Sequence, residues 1–500
     1  MKSTYLGIDL GTSAIKIVLI DDRKNVIGQS SREYEISHPF SGWSEIEPQI
    51  WFDSMMAGLK DVLEGQDPGK IKTIGITGQM HTLILLDKEG APVCPAIMWN
   101  DKRTKEFIPE LKEKLRTFPE GDYLSGIIST GSPAANLYWM GRKEPEKLQR
   151  CRHFLIGPDY LVYRLTGQIS TDYCEASTSS LYQIRERKWS QEVRELLGIP
   201  EDIYPRIHGS AQPVGTVLPE ISRLLGISPD VQVIAGTGDN PAAAISTGCL
   251  GQGYPVLSLG TSGVLMVPVN TLEEVAKGKV ILYSSDADIF SYLIQGVVQS
   301  NGESVNWWAR KILGLQEYGK LTENLNLENA AASSLLFYPH LSGDKTIYAD
   351  SELRGSFIGL STETTAEEMF YAVMEGLCFA FRQLAEQMRL PVASYGSLKV
   401  VGGGSKNEVW MQTLANILEV KIEKMEGMIG PAFGIAILAC GMRDGRVSLE
   451  DITRDCLRTE KYFEPDPEAV PVYREKYRKY LRIHDAMKYI DDGSLLSPVK

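Results

Sequence analysis

A tetrapeptide that occurs twice in the chain limits the possible folds more than any other feature. LGTS occupies residues 10–13 and returns at 259–262, each time between apolar, β-rich runs that span residues 5–21 and 256–269. Strand formers on both sides of turn residues predict a β-hairpin with a tight loop. Because the flanking strand patterns also agree in register, we infer that the chain contains two similar halves.

The first hairpin has the composition of a phosphate site. A loop of Gly11, Thr12 and Ser13 can direct backbone N–H groups at an anion, and the carboxylate of Asp9 beside it can hold Mg²⁺ through water. Alternatively, Asp9 only caps the turn, and this segment alone does not decide between the two. In the second copy Ser258 stands where Asp9 stood. Two such loops facing each other would clamp a polyphosphate, and only one of them would need the metal-associated acid.

Length and charge narrow the classes of partner. A chain of 500 residues is too long for one hydrophobic core, so we expect two domains. It carries 64 acidic and 52 basic residues, a net charge of −12, and this argues against nucleic acid as a partner. A small anionic ligand remains compatible, since backbone N–H groups and Mg²⁺ can hold phosphates without a basic surface.

The chain shows no sequence signal for a membrane or an oxidising compartment. It enters a strand at once, and no apolar run reaches the roughly 18 residues of a membrane span. Its seven cysteines are scattered, with no CxxC pair, and are typical of reduced thiols. We therefore expect a cytoplasmic protein.

Two successive strand ends in the first half present side chains suited to a polyol. An aromatic plane can stack on the C–H face of a sugar, while amides and carboxylates bind its hydroxyls. The alternative is an ordinary strand end with a helix cap at residue 100 or 101, which would be favoured if that segment stood alone. The two ends together favour a sugar wall made of Gln79, Met80, His81, Trp99, Asn100 and Asp101.

A third strand end carries a candidate base. The strand at 231–235 leads into GTGDNP, where Asn240 as N-cap and Pro241 at the first helical position predict a helix start. Asp239 would then lie just outside the helix, at the positive end of its dipole, where a carboxylate stays ionised and can accept a proton from a hydroxyl. The alternative is an ordinary capping acid.

The second half offers candidate nucleotide contacts. A glycine-rich turn with Gly403, Gly404 and Asn407 follows the strand at 398–401, and a helix at 430–439 has small residues that could approach a flat ring. A last helix is expected over 472–489. No GxxxxGK[ST] or GxGxxG motif occurs, which disfavours a P-loop or Rossmann site. If the chain binds phosphates, the two LGTS hairpins must then carry them.

Taken in order, these motifs resemble the FGGY family of carbohydrate kinases, in the fold group of actin, sugar kinases and heat-shock ATPases. The resemblance rests on GIDLGTS, GITGQMH, WNDKR, GTGDN, SLGTSG, GGGSKN and GPAFG, and on the signature at residues 355–376. It implies an α/β protein with two ribonuclease H-like domains and an interdomain cleft. We expect an N-terminal sugar-binding domain at 1–245, a C-terminal nucleotide-binding domain at 246–445 and a helical extension at 446–500.

The resemblance also implies roles for individual residues. Asp239 matches the catalytic base, and Asp9 matches the acid that associates with Mg²⁺, through water; Asp239 is a candidate second metal ligand. The implied sugar contacts are Gln79, Met80, His81, Trp99, Asn100, Asp101, Asp239 and Asn240. The implied nucleotide contacts are Gly11, Thr12, Ser13, Lys16, Gly260, Thr261, Gly403, Gly404 and Asn407.

The expected activity is ATP- and Mg²⁺-dependent phosphorylation of a sugar, first of all D-xylulose at its terminal hydroxyl. Asn136 and Lys102 depart from residues common in the family, so ribulose, gluconate or another polyol stays open as substrate. An ATP-driven regulator of the same fold would need no sugar wall, and a non-catalytic sugar sensor would be expected to lose Asp9 or Asp239. The expected partners are the sugar and ATP, without nucleic acid or membrane, and a homodimer stays open.

Overall fold

The described chain forms two compact units. The computed structural model describes residues 3–272, 278–286, 289–315, 320–323, 327–390, 395–442 and 448–492. The first unit comprises Met1–Gln252, Val280–Leu293 and Met428–Cys456, and the second comprises Gly253–Lys279, Ile294–Gly427 and Leu457–Lys500. The expected domain boundaries at 245 and 445 stay predictions, and the second one lies outside the described residues.

Strands and helices alternate along the whole chain. The strands are β1 (Thr4–Leu10), β2 (Ala14–Asp21), β3 (Val26–Glu33), β4 (Glu45–Ile46), β5 (Ile71–Gly78), β6 (Leu83–Leu86), β7 (Ala96–Ile97), β8 (His153–Ile156), β9 (Ser170–Asp172), β10 (Tyr182–Gln183), β11 (Lys188–Trp189), β12 (Arg206–His208), β13 (Pro213–Thr216), β14 (Gln232–Ile234), β15 (Thr237–Gly238), β16 (Val256–Leu259), β17 (Gly263–Val269), β18 (Lys279–Ser284), β19 (Phe290–Val298), β20 (Leu336–Tyr338), β21 (Ser356–Ile358), β22 (Ser397–Val401), β23 (Lys421–Glu426) and β24 (Arg458–Phe463).

The α-helices are α1 (Pro48–Leu63), α2 (Ile108–Arg116), α3 (Gly121–Ile127), α4 (Pro133–Lys143), α5 (Pro145–Arg150), α6 (Asp159–Thr166), α7 (Tyr173–Thr178), α8 (Gln191–Leu197), α9 (Pro219–Leu225), α10 (Asp239–Ser246), α11 (Cys249–Gln252), α12 (Asn301–Asn306), α13 (Lys320–Glu323), α14 (Leu327–Ala332), α15 (Ala366–Gln387), α16 (Glu408–Leu418), α17 (Pro431–Gly441), α18 (Leu449–Thr453), α19 (Ala469–Tyr480) and α20 (Ile483–Asp492). No helix in these described segments is long and apolar enough to cross a membrane.

The first unit is organised by a mixed sheet with the predicted hairpin at its centre. The strand order is β13-β14-β5-β1-β2-β3, and β15 also pairs with β5. β1 runs antiparallel to β2 and parallel to β5, and β14 and β15 run parallel to β5. The parallel strands β1, β5 and β15 therefore end at the same edge of the sheet, where their carboxyl-terminal residues meet.

The two faces of β1 bury different groups because side chains alternate along a strand. Leu6, Ile8 and Leu10 join an apolar cluster with Trp51 and Met55 of α1. Helix α17 packs on β1 and β5.

Glycines make the close approach of α17 possible. A Cβ on Gly7 would lie 2.0 Å from the carbonyl oxygen of Ala432, and one on Gly75 would lie 2.8 Å from that of Ile435. Both distances are far inside van der Waals contact. Asp9 shares the α17 face of β1 with Gly7 by this alternation.

The second unit repeats the same strand order in its own sheet. Six neighbouring strands run β24-β23-β22-β16-β17-β19, so β16 and β22 take the places of β1 and β5. β16 pairs antiparallel with β17 and parallel with β22, and β23 runs parallel to β22. The internal duplication inferred from the two LGTS hairpins is thus confirmed at the level of sheet topology.

Helix α15 is the long core helix of the second unit. A capping box between Thr365 and Glu368 begins it, so two backbone N–H groups of the first turn are satisfied. In its middle Glu375 accepts a hydrogen bond of 2.7 Å from Lys476 of α19, and both side chains are buried. Burial raises the pKa of the Glu375 carboxyl to about 7.

Two predicted elements differ from the observed ones. The last predicted helix, 472–489, is two helices, α19 and α20. The strand expected before Trp99 has only Ala96 and Ile97 in ladder pairing.

Candidate active site

The three parallel strands of the first unit bring the predicted acids to one edge. Asp9 pairs with Thr77 in the β1/β5 register, and Gly238 of β15 pairs with Gly78 of β5. Asp239 follows Gly238 directly, so both carboxylates stand at neighbouring strand ends. The amide N–H of Gln79 donates to the carbonyl of Leu10 over 2.8 Å, which extends the same ladder by one residue.

Asp9 is a buried carboxyl with a second carboxyl nearby. Its residue is 6% exposed. Burial, and next the negative charge of Asp239, raise the pKa of Asp9 to about 7, while Lys16 acts in the opposite direction. Lys16 is directly opposite Asp9 on β2. Asp9 is therefore a group that would gain from a cation at this edge.

The start of α10 differs from the prediction. Asn240 is not the N-cap and Pro241 is not the first helical residue: the helix begins at Asp239, and Gly238 occupies the cap position without a side-chain cap. The pairing of β15 with β5 keeps Gly238 extended, and the chain turns into the helix at the next residue. Asp239 thus lies in the first helical turn, half-buried, where the helix dipole still favours its charged form.

Met80 connects two of the strand ends. The side-chain amide of Asn240 donates to the Met80 sulfur over 3.2 Å. A Cβ on Gly238 would lie 2.6 Å from Met80 Cγ, so only glycine leaves room for this side chain. The predicted sugar contacts Met80 and Asn240 are thereby brought together beside Asp239.

Gln79 and His81 flank Met80 in different environments. Gln79 is buried, its amide nitrogen lies 3.9 Å from the Met98 sulfur, and its side-chain oxygen has no hydrogen-bond partner among the described residues. His81 is partly exposed and has φ +72°, in the left-handed region that favours glycine. At this break between β5 and β6, the strained backbone gives the His81 side chain a direction that a regular strand would not.

Trp99 lies at the edge of the predicted sugar wall and reaches the first hairpin. Its side chain is 40% exposed, and its indole N–H donates to the hydroxyl of Thr12 over 3.1 Å. The backbone N–H of Trp99 donates to the hydroxyl of Thr82 over 3.2 Å. Asn100 next to it is exposed.

Asp101 has protein partners on both oxygens. It is fully buried and accepts hydrogen bonds from the amide of Ser44 at 2.6 Å and from the Arg103 guanidinium at 2.8 and 2.9 Å. Arg103 also donates to Glu45 over 2.7 Å. These contacts favour a role for Asp101 in fixing the loop after β7, and its predicted sugar contact stays a prediction.

The first LGTS loop is held by its own strands and, besides Trp99, by the side chain of Tyr34. The amide of Gly11 donates to the carbonyl of Ala14 over 3.0 Å, which closes the turn. The hydroxyl of Tyr34 donates to the Gly11 carbonyl, and the Tyr34 amide donates to the Ser13 carbonyl over 3.0 Å. Burial, followed by the charge of Asp9, raises the pKa of the Tyr34 phenol, so Tyr34 is a neutral donor here.

The second LGTS loop is closed by a bond from the same glycine position, but to an acceptor one residue earlier than in the first loop. The amide of Gly260 donates to the carbonyl of Ser262 over 3.2 Å. The side-chain amide of Asn301 donates to the Gly260 carbonyl over 2.9 Å. Gly260 and Thr261 are exposed, and a Cβ on Gly260 would approach no other residue than Ser262 within 4 Å.

The glycine-rich turn after β22 lies beside this loop, because β16 and β22 are parallel neighbours. Gly402, with φ +96°, and Gly404 pack against Leu259, whereas Gly403 faces open space. Asn407 is the N-cap of α16: its side-chain oxygen accepts from the Trp410 amide over 3.0 Å. The predicted contacts Gly260, Thr261, Gly403, Gly404 and Asn407 therefore cluster at one edge of the second sheet.

Helix α17 uses its small residues for packing and not for the approach to a flat ring. Besides the contacts with β1 and β5, a Cβ on Gly434 would lie 1.8 Å from the carbonyl oxygen of Ala242 in α10. The helix is apolar all round, which is typical of a buried helix. Only Gly430, at its start, faces open space.

The donor set at the first edge fits Mg²⁺. No group of three or more His, Cys, Asp or Glu side chains that could hold a metal lies within the described ranges. Asp9 and Asp239 offer two carboxylates, and Mg²⁺ usually takes one or two carboxylates, keeping several waters and substrate phosphates. Burial, and next the charge of Asp239, raise the pKa of Asp9, so a cation bound at this edge would favour the charged form of Asp9.

Sequence reasoning missed Tyr34 and Thr82 as parts of the site. Tyr34 directly follows a strand whose side chains are mostly exposed, and Thr82 lies in a strand break. Neither position has a motif of its own. Their contacts with Gly11 and Trp99 depend on tertiary structure, so no local signal could have identified them.

Comparison with known proteins gives consistent matches over the whole chain. Residues 4–246 match the N-terminal domain, and residues 256–442 the C-terminal domain, of the FGGY family of carbohydrate kinases. A xylulose kinase of Bacillus subtilis (strain 168) is 32% identical over 489 residues, 97% of each chain. A xyloylose kinase from Brucella ovis has a TM-score of 0.86 at 31% identity and covers 97% of this chain and 100% of its own. A gluconate kinase from Lactobacillus acidophilus has a TM-score of 0.87 at 25% identity, with 97% and 98% covered.

Proposed function

This chain is a member of the FGGY family of carbohydrate kinases, and we propose that it transfers the γ-phosphoryl group of ATP to the terminal hydroxyl of D-xylulose, giving D-xylulose 5-phosphate. Relatives named xylulose kinase, at about 30% identity over nearly the full length, support the choice of sugar. The observation that carries the proposal is the meeting of Asp9, Asp239, Met80 and Asn240 at neighbouring strand ends.

Asp239 is proposed as the base. It is half-buried, so an acceptor hydroxyl can reach it, and its place in the first turn of α10 favours the carboxylate. It would accept the proton of the terminal hydroxyl as the oxygen attacks the γ-phosphorus, with ADP leaving. The free side-chain oxygen of Gln79 and the exposed face of Trp99 are suited to the remaining hydroxyls and the C–H face of the sugar.

Asp9, through water, and Asp239 would hold Mg²⁺. When bound, the ion neutralises charge on the transferring phosphoryl group. Asp9 would then be held in its charged form at neutral pH, where burial and the charge of Asp239 otherwise raise its pKa to about 7. The backbone N–H groups of Thr12 and Ser13 and the side chain of Lys16 would bind phosphate oxygens, with Gly11 leaving room for their close approach.

The second unit is proposed to bind the nucleotide. Gly260 and Thr261 would contact its phosphates, and the open space at Gly403 allows a ligand to approach the backbone closely. Gly404 and Asn407 would shape the adenosine side of this edge.

The test is a coupled ADP-release assay with D-xylulose, D-ribulose, gluconate and glycerol. D-Xylulose should have the highest kcat/KM, and Asp239→Asn should lower its kcat at least about 10³-fold, because the loss of a positioned base typically costs 10²–10⁴-fold. ATP affinity should change little. Asp202→Asn, an exposed aspartate outside the site, is the matched control.

Two results would overturn parts of the proposal. Turnover of Asp239→Asn near the wild-type rate would remove Asp239 as the base. A higher kcat/KM with gluconate would favour the second candidate substrate, which the similarity to a gluconate kinase supports. If none of the sugars stabilises the protein against heat or is phosphorylated, an ATP-driven regulator becomes the better reading.

A further inference from the structure

Two side chains from outside the turn of the first hairpin donate hydrogen bonds to it, and they differ in exposure. The hydroxyl of Tyr34, which directly follows β3, donates to the carbonyl of Gly11. Trp99, from the predicted sugar wall, donates to Thr12. The first contact comes from a half-buried phenol, whereas the second comes from a side chain that is 40% exposed.

The backbone of Trp99 is fixed, so only its side chain can respond to a ligand. Its N–H is bonded to Thr82, and a Cβ on Gly131 would lie 1.7 Å from its carbonyl oxygen, which shows how closely the neighbouring loop covers it. Because the residue is 40% exposed, solvent lies beside the indole, and rotation about its two side-chain torsions would carry the ring into it. A group that covers the ring would hold it in the orientation seen here.

We propose that Trp99 is a positioning residue that couples sugar binding to the order of the phosphate turn. The proposal rests on the kinase function above. A sugar stacked on the indole would hold the ring against the wall and keep its N–H on Thr12, so that the turn N–H groups stay aimed at the phosphates. Without the sugar the ring turns away more often and the turn loosens. Phosphoryl transfer is then favoured when the acceptor is present.

The first test follows the turn directly, without ATP. Amide hydrogen exchange in a peptide covering residues 10–16 is measured with and without a saturating concentration of the sugar that the wild type phosphorylates fastest. The sugar should slow this exchange at least about threefold in the wild type and not in Trp99→Phe, which keeps an aromatic ring but lacks the N–H donor. Equal protection in both proteins would overturn the proposal.

The second test is a double-mutant cycle on kcat with Trp99→Phe and Thr12→Val. Loss of one hydrogen bond corresponds to about 2- to 13-fold in rate, so each single change should lower kcat by about tenfold. The double variant should be within about twofold of the slower single variant, because both changes remove one interaction. The KM for the sugar should stay within about threefold in Trp99→Phe. The coupling would be refuted if the two changes multiplied their effects on kcat in the double variant. It would also be refuted if Trp99→Phe raised KM for the sugar and left kcat unchanged, since Trp99 would then have only a local role.

Two further variants separate the coupling from general damage. Thr12→Ser keeps the hydroxyl, so Trp99→Phe should have its full effect in that background. Trp189→Phe makes the same substitution in a tryptophan stacked on Tyr204 outside the strand ends, and it should not alter the protection of residues 10–16. A wild type that phosphorylates no sugar would refute the proposed function and this coupling with it. An active wild type with independent Trp99 and Thr12 effects would refute the coupling alone.

Discussion

The carboxyl group of Asp9 is buried beside the charge of Asp239, and the folded protein therefore holds its proton to a higher pH than an exposed aspartate would. Folding raises this pKa from 3.8 to about 7. The ionised carboxyl thus costs stability: the cost is absent below about pH 4, grows between pH 4 and 7, and is complete above pH 7. The proposed Mg²⁺ would offset this cost by favouring the charged form of Asp9.

Asp9→Asn should consequently make the ligand-free protein more stable at pH 8 while abolishing sugar phosphorylation. Because folding raises the pKa of the Asp9 carboxyl by about three, removing its charge should raise the free energy of unfolding by at most about 4 kcal/mol. The gain should vanish near pH 4. Urea unfolding at both pH values measures it, with Asp202→Asn as the control that shows no such pH dependence.

A stability of Asp9→Asn below that of the wild type at pH 8 would contradict this account of the site. Addition of Mg²⁺ and ATP should narrow the difference between the two proteins, since the ligands bind the charged form.

At the scale of elements, the contact between α17 and the central strands depends on glycines in those strands. Gly7 of β1 faces the backbone of Ala432, so an added methyl group cannot be accommodated by rotating a neighbouring side chain. The same contact keeps β1 in place, and Asp9 is two residues further along the same face. Packing and the position of the acid are therefore linked.

Gly7→Ala should destabilise the protein by about 3 kcal/mol or more, because overpacking against backbone atoms forces the helix away from the sheet. The control is Gly126→Ala near the end of α3, where a Cβ would meet nothing within 4 Å. It should leave the free energy of unfolding unchanged or raise it by up to about 1 kcal/mol through helix propensity. Equal effects of the two substitutions in denaturant unfolding would show that the α17 contact is loose.

Much of the fold and part of the site were predictable from local pattern, and the reasons differ by element. Turn residues between strand formers gave both hairpins, and parallel strand ends explain why Asp9 and Asp239 meet. The start of α10 was wrong because the pairing of β15 overrode the capping signal of Asn240, whose amide goes to Met80 instead. The role of α17 was wrong because small residues serve close packing as well as ligand approach, and local sequence cannot tell the two apart.

On the scale of the whole molecule, one sheet order occurs twice with one chemical difference. Asp9 is the last residue but one of β1, and Ser258 stands at the corresponding place on β16. The residues proposed to act together with Asp9 belong to the first unit: Asp239 follows β15, and Met80 follows β5. The duplication has therefore kept the phosphate turn in both units and the acid in one.

An acid supplied to the other copy should not replace the missing one. The double variant Asp9→Asn/Ser258→Asp is expected to be as inactive in the coupled assay as Asp9→Asn, since Asp239 and Met80, the proposed partners of the acid, follow strands of the first sheet. Recovery of more than about a tenth of wild-type kcat would contradict the assignment of the metal-associated acid to the first unit alone. Ser258→Asp by itself reports any damage that the change causes.

The location of α17 along the chain has a consequence for how the protein is made. Strands β1 and β5 are synthesised early, yet the helix that covers one of their faces begins only at Pro431. While the ribosome translates the intervening residues, that face stays uncovered, and these long-range contacts close slowly. The nascent chain thus exposes an aggregation-prone face during most of its synthesis. The first unit begins to emerge before the second, but it is completed only after α17 has been made.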